Sequence, residues 1–325
     1  MVEATNWLPT APMQALRQRA CQLTYLRSFF AERDVLEVET PVLARHGVTD
    51  LHLDSVAVEM SPVPGCRQTR GWLQTSPEFH MKRLLAAGSG AIYQVFRAFR
   101  DGERGGRHNP EFSLLEWYRP GLSDVDLMAE VADLVCGWLG CERPQTLRYR
   151  DAMQLYAGVD PFTVKDDALA TRCEPWVGRS VAAELGRDGC LELLMSHVVE
   201  PALRAQPPTF IVEYPASQAA LARVSSKDGH QVAHRFELYV AGIELCNGYW
   251  ELTDASEQRR RFEVDNAARA AAGKAPMPVD EALLAALAAG MPECAGVALG
   301  LDRLLMLKLG VERIDEVVSF PLERA

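Results

Sequence analysis

Arginines beside a glycine-rich stretch are the first feature of this sequence that could do chemistry. Arg100 ends a strand-like run, and the polar loop 101–109 that follows contains Arg104, Arg107 and His108. Guanidinium groups are always charged and can pair with phosphate oxygens through two parallel hydrogen bonds. The stretch therefore suits a polyphosphate, although taken alone it also fits a solvated, charged hairpin.

Acidic and amide residues are concentrated further along the chain. Glu237 and Glu244 lie on neighbouring strand-like runs, with a turn expected at residues 241–242, and could hold a hard cation. Because side chains alternate between the faces of a strand, three residues of the second run share one side. These are Asn247, Tyr249 and Glu251. That side would suit a cationic or amine ligand, and an ordinary exposed strand face is the alternative.

Small residues alternate over 296–301, directly before a predicted helix. Asp302 stands at the start of this helix and Arg303 in its first turn. Small side chains let a ligand approach the backbone closely. The run alone is weak evidence, since glycine-rich strands before helices are common.

Helices and strands predicted from hydrophobic periodicity must position these residues. Apolar residues at steps of three and four predict a first helix with one apolar stripe. The stripe consists of Leu16, Ala20, Leu23, Leu26 and Phe30. Period-two alternation then predicts a strand over residues 35–40. Ser76 and Pro77, residue types favoured at helix starts, predict a second helix that runs to Leu85.

The rest of the chain indicates an α+β fold. Residues 92–100 and 111–118 predict an antiparallel hairpin around the polar loop, and residues 122–206 predict a helical insertion. Further strands are expected at 209–214, 234–240, 243–252 and 296–301, and helices at 256–272, 280–289 and 302–310. Because strands dominate both ends of the chain, we expect a mostly antiparallel sheet flanked by helices.

The composition restricts the class of protein. The chain has 325 residues, of which 48% are hydrophobic and 24% charged, as is ordinary for a globular protein. A net charge of −10 argues against non-specific binding to nucleic acid or to an anionic membrane. Scattered cysteines without a Cys-x-x-Cys spacing predict buried thiols in a reducing compartment. Residues 1–12 lack a signal-peptide pattern and no long apolar run occurs, so we expect a cytoplasmic protein without a membrane partner.

Taken together, the three stretches resemble the signature motifs of class II aminoacyl-tRNA synthetases. Motif 1 resembles the first helix together with Val-Leu-Glu-Val-Glu-Thr-Pro at 35–41. Motif 2 resembles Phe-Arg followed by a loop and His-Asn-Pro-Glu-Phe at 108–112. Motif 3 resembles Gly-Val-Ala-Leu-Gly-Leu-Asp-Arg at 296–303. Residues 115–118 and 247–251 resemble the lysyl-tRNA synthetase subgroup. The resemblance covers about residues 12–322 and implies the class II catalytic fold.

The resemblance implies an ATP site with a catalytic arginine. Arg100 would grip the α-phosphate of ATP and the substrate carboxylate, while Phe112 and Arg303 would sandwich the adenine ring. Mg²⁺ would be held by Glu237 and Glu244. The ATP-binding residues it implies are Arg100, Asp101, Gly102, Glu103, Arg107, His108, Asn109, Phe112, Glu244, Leu245, Gly300 and Arg303.

The resemblance also implies an amino-acid pocket for a diamino acid. Each buried ammonium group needs a carboxylate partner, and Glu78, Glu116 and Glu251 supply three. The implied substrate-binding residues are Ser76, Pro77, Glu78, Glu116, Tyr118, Asn247, Tyr249, Glu251 and Ala298.

The length of the chain points to one branch of this family. Motif 1 begins near residue 14, which leaves no room for an N-terminal anticodon-binding domain, so we expect a single catalytic domain over residues 1–325. The chain is similar to a freestanding branch that activates (R)-β-lysine with ATP and attaches it to a lysine of elongation factor P instead of to tRNA. Class II cores mostly pair through motif 1, so we expect a homodimer through residues 14–43.

Two departures from the family pattern and three alternatives remain. Motif 2 usually reads Arg-x-Glu, and here either Glu103 or Asp101 could replace the glutamate. Ala298 stands where tRNA-charging enzymes usually have glycine, and its methyl group would narrow the pocket and could favour a β-amino acid. A tRNA-charging fragment, a non-catalytic synthetase-like regulator and an amide synthetase that makes asparagine are the competing functions.

Overall fold

The computed structural model describes residues 7–62, 64 and 69–325. The chain divides into two compact units. Unit 1 consists of the chain up to Gly121 together with Thr253–Cys294 and Ala298–Ala325, and unit 2 consists of Leu122–Leu252 with Ala295–Val297. The prediction of a single catalytic domain stays a prediction.

The regular elements are named in chain order. The helices are α1 Met13–Ala31, α2 Glu78–Ala86, α3 Asp124–Leu139, α4 Tyr149–Ala152, α5 Asp166–Val177, α6 Arg179–Glu184, α7 Gly186–Leu194, α8 Glu200–Leu203, α9 Ala255–Ala271, α10 Glu281–Gly290 and α11 Leu301–Leu309. The strands are β1 Leu36–Glu37, β2 Leu43–Ala44, β3 Ala57–Glu59, β4 Arg70–Leu73, β5 Ile92–Phe99, β6 Glu111–Pro120, β7 Gln145–Arg148, β8 Thr209–Pro215, β9 Val224–Lys227, β10 His230–Val240, β11 Ile243–Trp250 and β12 Cys294–Gly300.

The predicted hairpin is the centre of unit 1. Strands β5 and β6 pair antiparallel, from Ile92 opposite Tyr118 to Phe99 opposite Glu111. Strand β1 pairs parallel to β5, and β2, β4 and β3 form a small antiparallel sheet. This register fixes which residues of motif 2 lie side by side.

Helix α1 confirms the first predicted helix and, at Leu26 and Phe30, part of its apolar stripe. The buried face consists of Ala15, Gln22, Leu26, Phe29 and Phe30. Leu16 and Leu23 are only half-buried and Ala20 is exposed, so the expected stripe runs along the edge of the buried face. Phe30 anchors the helix on the hairpin, because its ring stacks on Tyr93 at 4.2 Å between centroids.

The strand predicted after this helix is much shorter than expected. Only Leu36–Glu37 joins a ladder, and Leu36 is 57% exposed where a buried face was expected. Val38 and Thr40 are half-buried while Glu37 and Glu39 are exposed, so the predicted alternation holds beyond Leu36 although the ladder is short.

Unit 2 is built around β10. This strand pairs antiparallel with β8, β9 and β11, while β7 pairs parallel to β8. The predicted turn is confirmed, because Ala241 and Gly242 both have positive φ, 52° and 71°, as in a type I′ hairpin. Phe236 lies opposite Gly248, and a Cβ atom added to Gly248 would lie 2.3 Å from Cζ of Phe236.

The region predicted to be helical, residues 122–206, is mostly helical in the structure. Helices α3 to α8 lie there, together with two π-helical turns at Met153–Ala157 and Met195–Val199. The short strand β7 was missed. Antiparallel pairing predominates in both units, and the α+β fold class is confirmed.

The cysteine prediction holds for most of the described thiols. Cys173, Cys190, Cys246 and Cys294 are buried, and Cys66 lies outside the described residues. The N-terminal segment that we do not expect to be a signal peptide lies partly outside them too. Within the described ranges, no helix has the length and hydropathy needed to cross a membrane.

Candidate active site

Arg100 and Phe112 meet at the loop end of the hairpin in unit 1. Cζ of Arg100 lies 4.9 Å from the centroid of the Phe112 ring, in a cation–π contact. One terminal nitrogen of Arg100 donates to Oε1 of Glu103 at 3.4 Å. Within the described part of the chain, the buried Nε of Arg100 has no hydrogen-bond partner. A buried donor in that state favours an anionic ligand.

The motif 2 loop is also joined to the start of α11. A terminal nitrogen of Arg303 lies 2.8 Å from Nε2 of His108. Partial desolvation and then the charge of Arg303 lower the pKa of His108. The lowered pKa favours the neutral imidazole, whose Nε2 can accept a hydrogen bond from Arg303. Arg107 stands partly exposed beside it.

The buried side chain of Asn109 bridges two segments at the end of this loop. Its Nδ2 donates to the carbonyl of Glu111 at 2.6 Å, and its Oδ1 accepts from the N–H of Leu322 at 3.1 Å. The side-chain amide thus ties the C-terminal segment to the start of β6. The predicted role of Asn109 in ATP binding stays a prediction.

Asp302 links motif 3 to motif 2, which the sequence did not indicate. It is 3% exposed, and its Oδ2 accepts from the backbone N–H of Ser113 at 2.8 Å. Its Oδ1 accepts from Arg19. We predicted only that Asp302 starts a helix, since an aspartate in a first turn is common without any such contact.

Helix α1 also contacts the first turn of α11 through a second residue, Gln22. Arg19 donates to Oε1 of Gln22 at 2.9 Å, and Nε2 of Gln22 donates to the carbonyl of Leu301 at 3.2 Å. Gln22 is fully buried. Motif 1 therefore holds the first turn of α11 through two polar side chains.

Four of the predicted amino-acid-binding residues form one hydrogen-bonded cluster in unit 1. Glu116 is 2% exposed and accepts from Oγ of Ser76 at 2.7 Å and from the hydroxyl of Tyr118 at 2.6 Å. Oγ of Ser76 in turn accepts from the N–H of Glu78 at 3.0 Å. Burial, followed by the negative charge of Glu78, raises the pKa of Glu116 to about 7.

Lys82 joins this cluster and was missed by the sequence reading. Its Nζ donates to Oε1 of Glu78 at 2.6 Å, and the lysine is 1% exposed. Lysine is almost never fully buried without a charged partner. The signal that could have revealed it is the i,i+4 spacing to Glu78 on α2, a spacing that places both side chains on one helix face.

Glu237 lies in a buried polar network of unit 2. Its carboxylate accepts from the hydroxyls of Tyr214 at 2.5 Å and Tyr239 at 2.6 Å, and from Arg235 at 2.5 Å. Burial and then the charge of Glu237 raise the pKa of both tyrosines well above the usual range. Arg235 also donates to Oδ1 of Asn247 at 3.2 Å. The sequence analysis selected Glu237 and Asn247 but not Arg235, which donates to both.

The two predicted metal ligands share one face of the β10–β11 hairpin. Glu237 is opposite Asn247 and Glu244 is opposite Tyr239 in the register. Within the described ranges, no group of three or more His, Cys, Asp or Glu could hold a metal. Mg²⁺ commonly uses one or two carboxylates together with substrate phosphates, so this pair fits the ion. Glu244 is half-buried, whereas Glu237 is buried within its own hydrogen-bond network, so Glu244 is the more accessible of the two carboxylates.

Glu251 follows β11 and is 1% exposed. Its backbone bridges to Ala222, and its carbonyl accepts from Nε of Arg223 at 2.9 Å. Tyr249, half-buried, is opposite Arg235 in the register. A buried carboxylate with a fixed backbone suits the predicted role of Glu251 towards an ammonium group.

The other predicted residues lie at element ends or on strands. Asp101 and Gly102 begin the motif 2 loop, where Gly102 has a φ of 77°. Ala298 and Gly300 lie on the more accessible side of β12, while Leu299 between them is fully buried.

Of two further predicted residues, one precedes a helix and the other lies at a strand bulge. Pro77 directly precedes α2. Leu245 is the extra residue at the bulge of β11 and is 2% exposed. A contact from either residue to a ligand stays a prediction.

Comparison with known proteins identifies the class. Residues 8–324 match the family described as tRNA synthetases class II (D, K and N), so the chain belongs to this family. Within it, the chain is similar over its full length to proteins named elongation factor P--(R)-beta-lysine ligase. The identity is 48% with the protein of Proteus mirabilis, 47% with that of Sodalis glossinidius and 50% with that of Mannheimia succiniciproducens. In all three comparisons 100% of both chains is covered.

Proposed function

We propose that this protein is an ATP-dependent ligase that activates (R)-β-lysine as an adenylate and transfers it to a lysine side chain of elongation factor P. The observation that carries the proposal is the 47–50% identity, over the whole of both chains, to proteins named for that reaction. The residues expected for the chemistry are present, and their surroundings in the structure support it.

The nucleotide would be held by the arginine-rich loop. Arg100 would bind the α-phosphate and the substrate carboxylate, which agrees with its buried Nε and its place on the Phe112 ring. The adenine ring would lie between Phe112 and Arg303. When Mg²⁺ is bound, Glu244 and Glu237 would hold it, and its charge would offset that of the phosphates.

The amino acid would be held through its charged groups. Ser76, Glu78, Glu116 and Tyr118 form a buried carboxylate cluster that suits one ammonium group. A second set is proposed for the distal ammonium of the substrate, with Glu251 as its carboxylate. That set is Asn247, Tyr249 and Glu251.

The chemistry follows from these placements. A carboxylate oxygen of (R)-β-lysine attacks the α-phosphorus of ATP, and the bond to pyrophosphate breaks. The nucleophile is already ionised, so this step depends on positioning and on charge stabilisation by Arg100. The neutral amine of the acceptor lysine then attacks the carbonyl carbon of the adenylate. AMP leaves, and the amine loses a proton as the amide forms.

Selectivity for the β-amino isomer is proposed for Ala298. Its side chain lies on the more accessible side of β12, where a methyl group would reduce the room for an α-amino acid. One methylene-sized change is worth roughly 1–3 kcal/mol of discrimination.

We also propose a homodimer through residues 14–43, in the cytoplasm. Leu36 is 57% and Leu43 39% exposed, and a partner subunit would cover them. The location follows from the proposed acceptor, which is a translation factor.

ATP–pyrophosphate exchange with a panel of amino acids tests the activation step. We expect exchange with (R)-β-lysine above that with L-lysine, aspartate or asparagine. Transfer assays with purified elongation factor P and with tRNA then identify the acceptor. Transfer to tRNA alone would show a tRNA-charging enzyme, and absence of exchange with every amino acid would show a non-catalytic relative.

A further inference from the structure

Lys82 is a buried cation beside the carboxylates proposed to bind the amino acid. Its side chain is 2% exposed and that of its partner Glu78 is 16% exposed. Removing a charge from water is costly unless a partner offsets it. A hydrophobic residue on this face of α2 would fill the same space, so packing alone does not explain the ammonium group.

The contacts connect Lys82 to the rest of the cluster. Lys82 donates to Oε1 of Glu78, the N–H of Glu78 donates to Ser76, and the hydroxyl of Ser76 donates to Oε2 of Glu116. The hydroxyl of Tyr118 completes the bonds to Glu116. The cluster therefore contains two carboxylates and one ammonium group in a single hydrogen-bonded series.

We propose that Lys82 is a positioning and charge-setting residue of the amino-acid site. It fixes Glu78 through one carboxylate oxygen, so that a substrate ammonium would pair with the other. It also offsets one of the two negative charges, which leaves the cluster matched to one ammonium group. The proposal rests on the function proposed above and adds a residue that acts through Glu78 instead of touching the substrate.

The charges around Glu116 make the proposal specific. Burial and then the negative charge of Glu78 raise the pKa of Glu116, while the hydrogen bonds from Tyr118 and Ser76 and the positive charge of Lys82 lower it. Without Lys82, the Glu116 carboxylate would hold its proton to a higher pH. A protonated carboxyl group pairs poorly with an ammonium group, so amino-acid binding would then require a higher pH.

The matched variants are Lys82→Met, Lys82→Arg and Lys227→Met. Lys82→Met removes the charge and keeps an unbranched side chain, and Lys82→Arg keeps the charge. Lys227→Met is the control, since Lys227 pairs with Glu213 but is 54% exposed. Should Lys82→Met not fold, Lys82→Gln makes the same comparison with a polar side chain.

The experiment measures KM for (R)-β-lysine and for ATP in pyrophosphate exchange between about pH 6 and about pH 9, a range that brackets the Glu116 titration. For Lys82→Met we expect KM for the amino acid to rise at least about tenfold near neutral pH, with the pH midpoint moved upward and KM for ATP unchanged. Lys82→Arg should retain the wild-type midpoint, and Lys227→Met should behave as wild type.

The proposal is overturned if Lys82→Met leaves the amino-acid KM and the pH midpoint unchanged. It is also overturned if KM for ATP rises equally, because that result would show a general structural role. Failure of the proposed function is distinguishable. If the wild-type protein activates another diamino acid, the substrate assignment is wrong, and the Lys82 comparison is made with that amino acid on the same criteria.

Discussion

The backbone N–H of Ser113 donates a 2.8 Å hydrogen bond to Oδ2 of Asp302. Ser113 follows Phe112 and Asp302 precedes Arg303, so one carboxylate ties together the neighbours of the two residues proposed to sandwich adenine. Because Asp302 also accepts from Arg19, the start of α11 is fixed to both β6 and α1.

Asp302→Ala should weaken ATP binding more than amino-acid binding. The part-buried guanidinium of Arg19 would lose its carboxylate partner, and breaking a fully buried pair from one side costs about 3–5 kcal/mol, which is an upper bound here. We expect a lower melting temperature and a KM for ATP raised relative to that for the amino acid. Asp315→Ala, which removes the exposed pair with Arg313, is the control and should change stability by less than about 1 kcal/mol. Equal loss for both substrates would contradict the positioning role.

Arg100→Ala should abolish adenylation while the fold survives. Removing one preorganised donor to developing charge typically costs about 10²–10³-fold in rate. Pyrophosphate exchange measures the loss, and circular dichroism checks the fold. Arg97→Ala on the same hairpin is the control, since the Arg97 side chain is 58% exposed. A loss of less than tenfold for Arg100→Ala would show that the catalytic assignment is wrong.

Glu251→Gln should impair use of the diamino acid. The change keeps the shape of a side chain that is 1% exposed but removes its charge. Loss of one member of a buried charge pair costs about 2–5 kcal/mol, so kcat/KM should fall at least about thirtyfold. KM for ATP should hardly change, and an analogue without the distal amine should lose less. If ATP binding weakens equally, Glu251 supports the fold or the nucleotide instead.

Ala298→Gly should reduce the preference for the β-amino isomer. Removing the methyl group would give an α-amino acid more room, so the ratio of kcat/KM for L-lysine to that for (R)-β-lysine should rise. The expected change is roughly 1–3 kcal/mol, measured by pyrophosphate exchange with both isomers. An unchanged ratio would reject the steric explanation.

Glu116→Gln should stabilise the substrate-free protein increasingly as the pH rises. The pKa of Glu116 is raised to about 7 in the folded protein, so between its ordinary value and 7 the folded state binds more protons than the unfolded state. The free energy of unfolding therefore falls as the pH rises through this window. Gln avoids the buried charge, so its melting temperature should exceed that of wild type more at about pH 8 than at about pH 5. A constant difference would contradict the raised pKa.

The hairpins show what could be predicted from sequence. The alternation around residues 92–118 and the turn at Ala241 and Gly242 are local signals, and both elements form where expected. The small sheet of β2, β3 and β4 was missed because its strands have only two to four residues, too few to show alternation.

The candidate site could be predicted where residue type indicates chemistry. Glu116 and Tyr118 were proposed because residues 115–118 resemble the lysyl-tRNA synthetase subgroup, and not because spacing alone indicates a ligand. Lys82 was missed because a lysine four residues after a glutamate usually forms an ordinary surface pair. Arg235 was missed because its contact with Glu237 depends on how β10 and its neighbours fold, which spacing alone does not show.

The close approach of Gly248 to Phe236 has a consequence for any survey of tolerated substitutions. Even alanine at Gly248 would place a carbon atom 2.3 Å from a buried ring, so every other side chain forces that ring to move. A saturation scan should therefore rank position 248 among the least tolerant positions of β11, although it offers a ligand no side chain. Intolerance there would report ring packing, and it would not identify a substrate contact.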